Sequence, residues 1–385
     1  MQQVQESIVS NDVEQAIAQA IESGQHIGVQ VAAYKDGHQV LDVWGGLADS
    51  TTGRPVDGDT LFNAFSVAKA VTATALHIQA ERGAVDYDEK IAYYWPEFAQ
   101  NQKGAATVRH ALTHCAGVPQ MPEGVTVADI CDWDGMCRSI AALEPMFPIG
   151  ETQAYHAMTF GWIVGEIVRR TDPDRRPLNR FIQEEISQPL GISDLWLGTP
   201  ESEWPRIAKL SDANAEDPPL PPESITAKAM PAAVSLTPET MERPEVRRAT
   251  VAGVGGIFTA RSEARFWAML AGGGQIDGVR LLSEDRVRSF QVPSPLAGQT
   301  DPVLKGELPV SSGGYWLGAD HTRTQAVGNP RALCHPGAGG SIGWADLDNN
   351  ISVAICLNRM YNCKSREDDS VLPIALAVRN SLGVA

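Results

Sequence analysis

Ser66-Val67-Ala68-Lys69 is the one S-x-x-K in the chain, and it opens a run in which most residues are small or apolar. Helix positions three apart share a face, so the Ser66 hydroxyl and the Lys69 amine can meet. A serine at a helix start has unpaired backbone N–H groups beside it that can receive a developing oxyanion. The positive end of the helix and burial both disfavour an ammonium, and together they push the lysine pKa down. An amine so perturbed can take the serine proton, which makes nucleophilic acyl transfer the chemistry to look for. The spacing alone is weak, because a serine at a helix start with an unrelated lysine one turn on is common. A lysine among Ala, Val, Leu and Ile, however, is costly to bury without a partner.

Three other patterns compete. Residues 339–343 read Gly-Gly-Ser-Ile-Gly and fit G-x-S-x-G, but that elbow needs a strand before its serine and a helix directly after. Here Trp344-Ala345-Asp346 leads through Asp348-Asn349-Asn350 into another β-type run, which reads as a hairpin. The glycines then belong to a strand and turn pressed close to substrate. His110 and His114 stand at i and i+4, yet no Glu follows His110 and no third ligand is evident, so helix-packing histidines are the better reading. The six cysteines include no C-x-x-C pair, and in a long intracellular chain they read as reduced thiols, several of them in the core. Neither a metal nor a cofactor is expected.

The elements that must position these residues follow from periodicity and turn chemistry. A first helix is expected over 13–21, with Asn11 or Asp12 as N-cap and Gly24 beyond its end. Residues 27–34 and 40–44 are β-rich and joined by Lys35-Asp36-Gly37-His38, a hairpin signal. The Ala-rich segment 66–82, stopping at Gly83, is apolar on every side and should be a buried helix. From 86 to about 213 the pattern is mainly helical, as in 108–114, 160–170 and 178–186. Residues 213–244 are rich in Pro and acidic side chains, with Pro218-Pro219-Leu220-Pro221-Pro222 at the centre, and read as a long connection of the kind that carries function. A helix over 262–270 with Ser262 as N-cap, β runs over 335–346 and 351–357, and a last helix over 370–381 complete the chain. Strands cluster at both ends and helices in the middle. The simplest architecture has an α/β sheet domain from 1–85 and 245–385, a helical insert over 86–244, and the site at their junction.

At this point the sequence resembles the serine β-lactamase-like family, which includes class C β-lactamases, family VIII carboxylesterases, penicillin-binding proteins, D-amino-peptidases and fungal polyketide acyltransferases. The resemblance starts at Leu61-Phe62-Asn63-Ala64-Phe65-Ser66-Val67-Ala68-Lys69 and continues through Glu81-Arg82-Gly83. It goes on through Thr107 to Gly117, then Gly150, Tyr155 and Phe160-Gly161-Trp162, and later 253–261 and 278–283. His335-Pro336-Gly337-Ala338 stands where β-lactamases carry K-T-G. These landmarks keep the family's order over most of the chain. The resemblance implies an α/β (α+β) fold of the β-lactamase/transpeptidase type, an antiparallel sheet flanked by helices with an inserted all-helical region. It also implies Ser66 as acylated nucleophile and Lys69 as its proton acceptor. Tyr155 would share the base role and carry the proton to the leaving group, and the N–H groups of Ser66 and Ala338 would form the oxyanion hole. His335, Gly337 and Ala157 would line the substrate. Two positions depart from the β-lactamase pattern: Ala157 replaces an Asn that holds the substrate amide, and His335 replaces the K-T-G lysine, a cation suited to a carboxylate. His156 reads as structural, because successive residues point different ways.

Composition bounds the partners. The 385 residues are 43% hydrophobic and carry a formal charge of −16. That is enough apolar material for a large core, and too acidic a surface to favour nucleic acid or anionic lipid. No apolar stretch approaches the roughly 20 residues of a membrane span. The first twelve residues have neither a basic nor an apolar leader segment, so a cytoplasmic protein is expected. The expected partner is a small-molecule ester with a moderately apolar acyl or alcohol group, cleaved by a serine hydrolase through an acyl-enzyme. The alternative is an acyltransferase of a biosynthetic pathway using the same residues. A β-lactamase or D-amino-peptidase, or a sensor acylated once without turnover, ranks lower. Assembly into a homo-oligomer is left open.

Overall fold

The computed structural model describes residues 2–318, 323–361, 363, 365 and 367–384. At its centre, strand Gly28–Lys35 lies antiparallel between Ile351–Leu357 on one side and His38–Asp49 on the other. Beyond Ile351–Leu357 come Ile342–Asp346, Leu333–Pro336 and Trp316–Leu317, and beyond His38–Asp49 comes Arg54–Pro55, giving seven strands built from both ends of the chain. The central strand, GVQVAAYK, lacks the polar alternation of a half-exposed strand because both of its faces are covered. Val29, Val31, Val353 and Ile355 share one apolar cluster with Val13, Ile17, Ile374 and Val378 of the helices Gln2–Glu22 and Leu372–Leu382. Ala32, Tyr34, Ala354 and Cys356 point the other way, into the cluster that holds Phe266 and Trp267 of helix Ala260–Ala271. The one amide on the central strand, Gln30, is buried but satisfied. It accepts from Ala260 N at 2.6 Å and donates to Asp57 O at 2.7 Å, tying the sheet to the start of that helix.

A smaller antiparallel sheet, Phe62–Phe65 with Gly256–Phe258 and Leu195–Leu197, delivers the chain to Ser66. Helix Ala68–Glu81 follows, buried at every position from Ala68 to Ala80. It packs against helix Thr159–Thr171. No helix among the described residues is long and apolar enough to cross a membrane.

Several boundaries differ from those read in the sequence. The first helix begins at Gln2 and runs through Asn11 and Asp12, so neither caps it. Glutamine and glutamate are good helix formers, and they extend the helix toward the terminus. Thr259, not Ser262, caps helix Ala260–Ala271, its side chain accepting from Ser262 N. Residues 213–244 are not one loop: they contain the short helices Ile225–Ala229 and Pro238–Met241. The run 335–346 is broken by a turn between Leu333–Pro336 and Ile342–Asp346, where Gly339 and Gly340 take φ of 87° and 103°. Ser341 follows that turn, its Oγ accepting from Leu357 N at 3.0 Å, and a strand rather than a helix comes next.

Candidate active site

Ser66 stands between strand and helix. Phe65, the last residue of its strand, has φ of 49°, a left-handed conformation that a bulky side chain rarely adopts. Such strain persists only where the surroundings fix it, and here it swings Ser66 onto the first turn of the helix. Lys69 N donates to Ser66 O at 2.9 Å, so the two side chains share that turn. Lys69 Nζ lies 3.0 Å from Ser66 Oγ. The amine is fully buried and donates to Ala157 O and Gly253 O, both at 2.7 Å. No carboxylate is among these partners, and burial holds the Lys69 pKa well below its ordinary value of 10.5.

Tyr155 completes the cluster. Its ring centroid is 4.8 Å from Lys69 Nζ, and the ring packs against His114 and, edge on, against Trp316. Burial pushes the phenol above its ordinary value of 10.0, with the Ser66 hydroxyl pulling the other way, so it is held as a neutral O–H. Tyr155 belongs to neither helix nor strand. The N–H groups of Ala154, Tyr155 and His156 donate in turn to His114 O, Asp301 Oδ2 and His114 Nδ1, at 3.0, 2.6 and 3.0 Å. His156 is occupied locally: its Nδ1 lies 2.7 Å from Ala154 O and its Nε2 accepts from Val118 N at 3.2 Å. His110 accepts from Thr107 N and closes a capping box.

The turn after Leu333–Pro336 faces Ser66. Gly337 sits so close that a Cβ there would lie 2.3 Å from Ala64 O, two residues before Ser66. Gly337 N donates to Ser341 O at 2.6 Å, which fixes the turn that carries Ala338. Neither Ser66 N nor Ala338 N finds an acceptor among the described residues. His335 is fully buried beside Trp316. Its Nδ1 lies 2.8 Å from Pro336 O, an acceptor only, so Nδ1 carries the hydrogen. Burial lowers the His335 pKa to about 3, leaving the ring uncharged.

The sequence places Ala157 along the substrate, and in the structure its carbonyl accepts from Lys69 Nζ. Ala157 O and Gly253 O hold Lys69, and the sequence reading gives Gly253 no such role. A signal was present. A Cβ on Gly161 would lie 2.2 Å from Gly253 N, so a glycine inside helix Thr159–Thr171 marks the close approach that brings the carbonyl to Lys69. The proline-rich segment walls an open cleft of about 1210 Å³ whose lining includes Pro218, Leu220, Met230 and Met360. Met360 also approaches the turn that carries Ala338, since a Cβ on Gly339 would meet its Cγ at 2.8 Å.

Comparison with known proteins places the chain as a whole. The beta-lactamase family model matches residues 13–377. Esterase/beta-lactamase LipL of Mycobacterium tuberculosis is 33% identical over 359 residues, covering 87% of this chain and 78% of that protein. A family VIII carboxylesterase crystal structure superposes with a TM-score of 0.86 at 30% identity, covering 97% of each chain. A penicillin-binding protein homologue from Caulobacter crescentus superposes with a TM-score of 0.85 at 32% identity, covering 96% of this chain and 97% of that one. With the family model spanning residues 13–377 and LipL one third identical over most of both chains, the chain belongs to the beta-lactamase family.

Proposed function

We propose that this protein is a carboxylesterase-type serine hydrolase working through an acyl-enzyme on Ser66. The observation that carries the proposal is the bonding of Lys69. A neutral amine has two N–H bonds and one lone pair. Its two N–H bonds match Ala157 O and Gly253 O, and the lone pair is left for the Ser66 hydroxyl 3.0 Å away. Ser66 Oγ attacks the ester carbonyl while its proton passes to Lys69 Nζ. The carbonyl oxygen becomes an oxyanion within reach of Ser66 N–H and Ala338 N–H. As the C–O bond to the alcohol breaks, the Tyr155 phenol protonates the leaving oxygen and recovers a proton from the Lys69 ammonium. Water then repeats the sequence, releasing the acid and restoring Ser66.

The uncharged His335 supports neutral esters as substrates, because it supplies no cation for a carboxylate at the position where β-lactamases carry lysine. Replacing Ser66 by Ala should abolish turnover of p-nitrophenyl butyrate and leave the melting temperature unchanged. An unaltered rate would rule the mechanism out.

A further inference from the structure

Asp301 is fully buried and divides its two oxygens between two tasks. Oδ1 accepts from Val303 N at 2.8 Å and Leu304 N at 2.7 Å, closing its own turn. Oδ2 reaches across the fold to Tyr155 N at 2.6 Å. Tyr155 lies in an irregular stretch with no ladder or helix to set its place; its N–H is held by Asp301, its carbonyl accepts from Ala157 N at 2.8 Å, and Ala154 N donates to His114 O beside it. The same turn is tied to the wall of the large cleft, because Thr226 Oγ1 donates to Val303 O at 2.5 Å and the neighbouring Ala227 lines that cleft.

We propose that Asp301 is a positioning residue for acylation, holding the Tyr155 phenol where its O–H reaches the departing alcohol oxygen. This inference rests on Tyr155 acting as the proton donor described above. The carboxylate exchanges nothing with substrate. It acts by fixing the backbone from which the phenol projects, and misplacement of a catalytic group by even an ångström costs rate.

The test compares kcat/KM for ethyl butyrate and p-nitrophenyl butyrate, which share an acyl group and differ in whether the leaving oxygen needs a proton. Tyr155→Phe should lower the ethyl ester rate about 10²–10⁴-fold relative to the aryl ester, the usual worth of general acid catalysis. Asp301→Asn keeps shape but has a single carbonyl oxygen for two tasks. Asp301→Ser can still close the local turn through its hydroxyl, yet has nothing to reach Tyr155 N. Both should lower the ethyl-to-aryl ratio by about tenfold or more. A ratio that stays at the wild-type value in a folded Asp301 variant, however far both rates fall, overturns the role of Asp301 if Tyr155→Phe remains selective. Should Tyr155→Phe itself lower both rates equally, the proton-donor reading fails and the inference goes with it. If neither Asp301 variant folds, the residue is structural and the proposal is overturned.

Discussion

Replacing Lys69 by Met keeps an unbranched chain of similar length and removes the amine. Loss of the base should lower kcat/KM by about 10²–10⁴-fold. Stability changes for a separate reason. Ala157 O and Gly253 O lose their donor in the interior. At about 1–3 kcal/mol for each buried acceptor left unpaired, the cost is about 2–6 kcal/mol, less what is regained by no longer desolvating an amine. The pH dependence isolates the amine itself. Burial lowers the Lys69 pKa in the folded chain, whereas the unfolded chain titrates near the ordinary 10.5. Between those two values the unfolded state binds a proton that the folded state lacks, so wild-type stability rises with pH by at most about 1.4 kcal/mol per unit and levels off once the unfolded amine is neutral. The Met variant lacks this slope, and groups common to both proteins cancel in the difference. Urea unfolding of both at several pH values from about 7 to 10 should therefore show the wild-type advantage growing with pH. A constant difference would mean that Lys69 is an ammonium in the folded protein. In that case its lone pair is not available to Ser66 and the proposed base is lost.

Two further expectations come from buried contacts. Gly337→Ala places a Cβ 2.3 Å from Ala64 O, a backbone atom that cannot swing aside, so the turn must retreat from Ser66. Loss of the Ala338 N–H as oxyanion donor should lower kcat by about 10²–10³-fold, and wild-type kcat in the folded variant would refute that role. Glu263 lies beneath the sheet with Trp267 Nε1 and Cys356 Sγ both 3.4 Å from its oxygens, and burial raises its pKa from 4.5 to about 8. In that interval the folded chain holds a proton that the unfolded chain lacks, so wild-type stability falls as pH rises through it, by at most about 1.4 kcal/mol per unit. Glu263→Gln should gain on wild type from about pH 5 to 8 in parallel urea titrations. Superimposable pH profiles would show that the carboxyl is not held neutral.

The parts of the site written in side chains were legible, and those written in backbone were not. Ser66 and Lys69 meet because helical spacing makes them meet, and a lysine in an apolar helix announced its own burial. The hairpin of Gly28–Lys35 and His38–Asp49 followed from β-branched runs around Asp36-Gly37. Tyr155 was reachable only through family resemblance, because its place depends on His114 and Asp301 rather than on any local period. The carbonyls that hold Lys69 have no letter in the sequence, and only the glycines at 161 and 253 mark where two backbones touch. The capping of helix Ala260–Ala271 by Thr259 was missed because Ser262 and Thr259 both suit an N-cap and the deciding bond runs between them.

The arrangement of the central sheet has a consequence for synthesis. Gly28–Lys35 leaves the ribosome long before Ile351–Leu357, the strand that becomes its second neighbour. Until that later strand has been made, one flank of Gly28–Lys35 offers unpaired amides and carbonyls while the long segment between them already exists. A chain arrested shortly before residue 351 would therefore lack an interior plank rather than an outer one. The partners most able to shelter the open flank meanwhile are other strands of the same nascent chain or a holding chaperone.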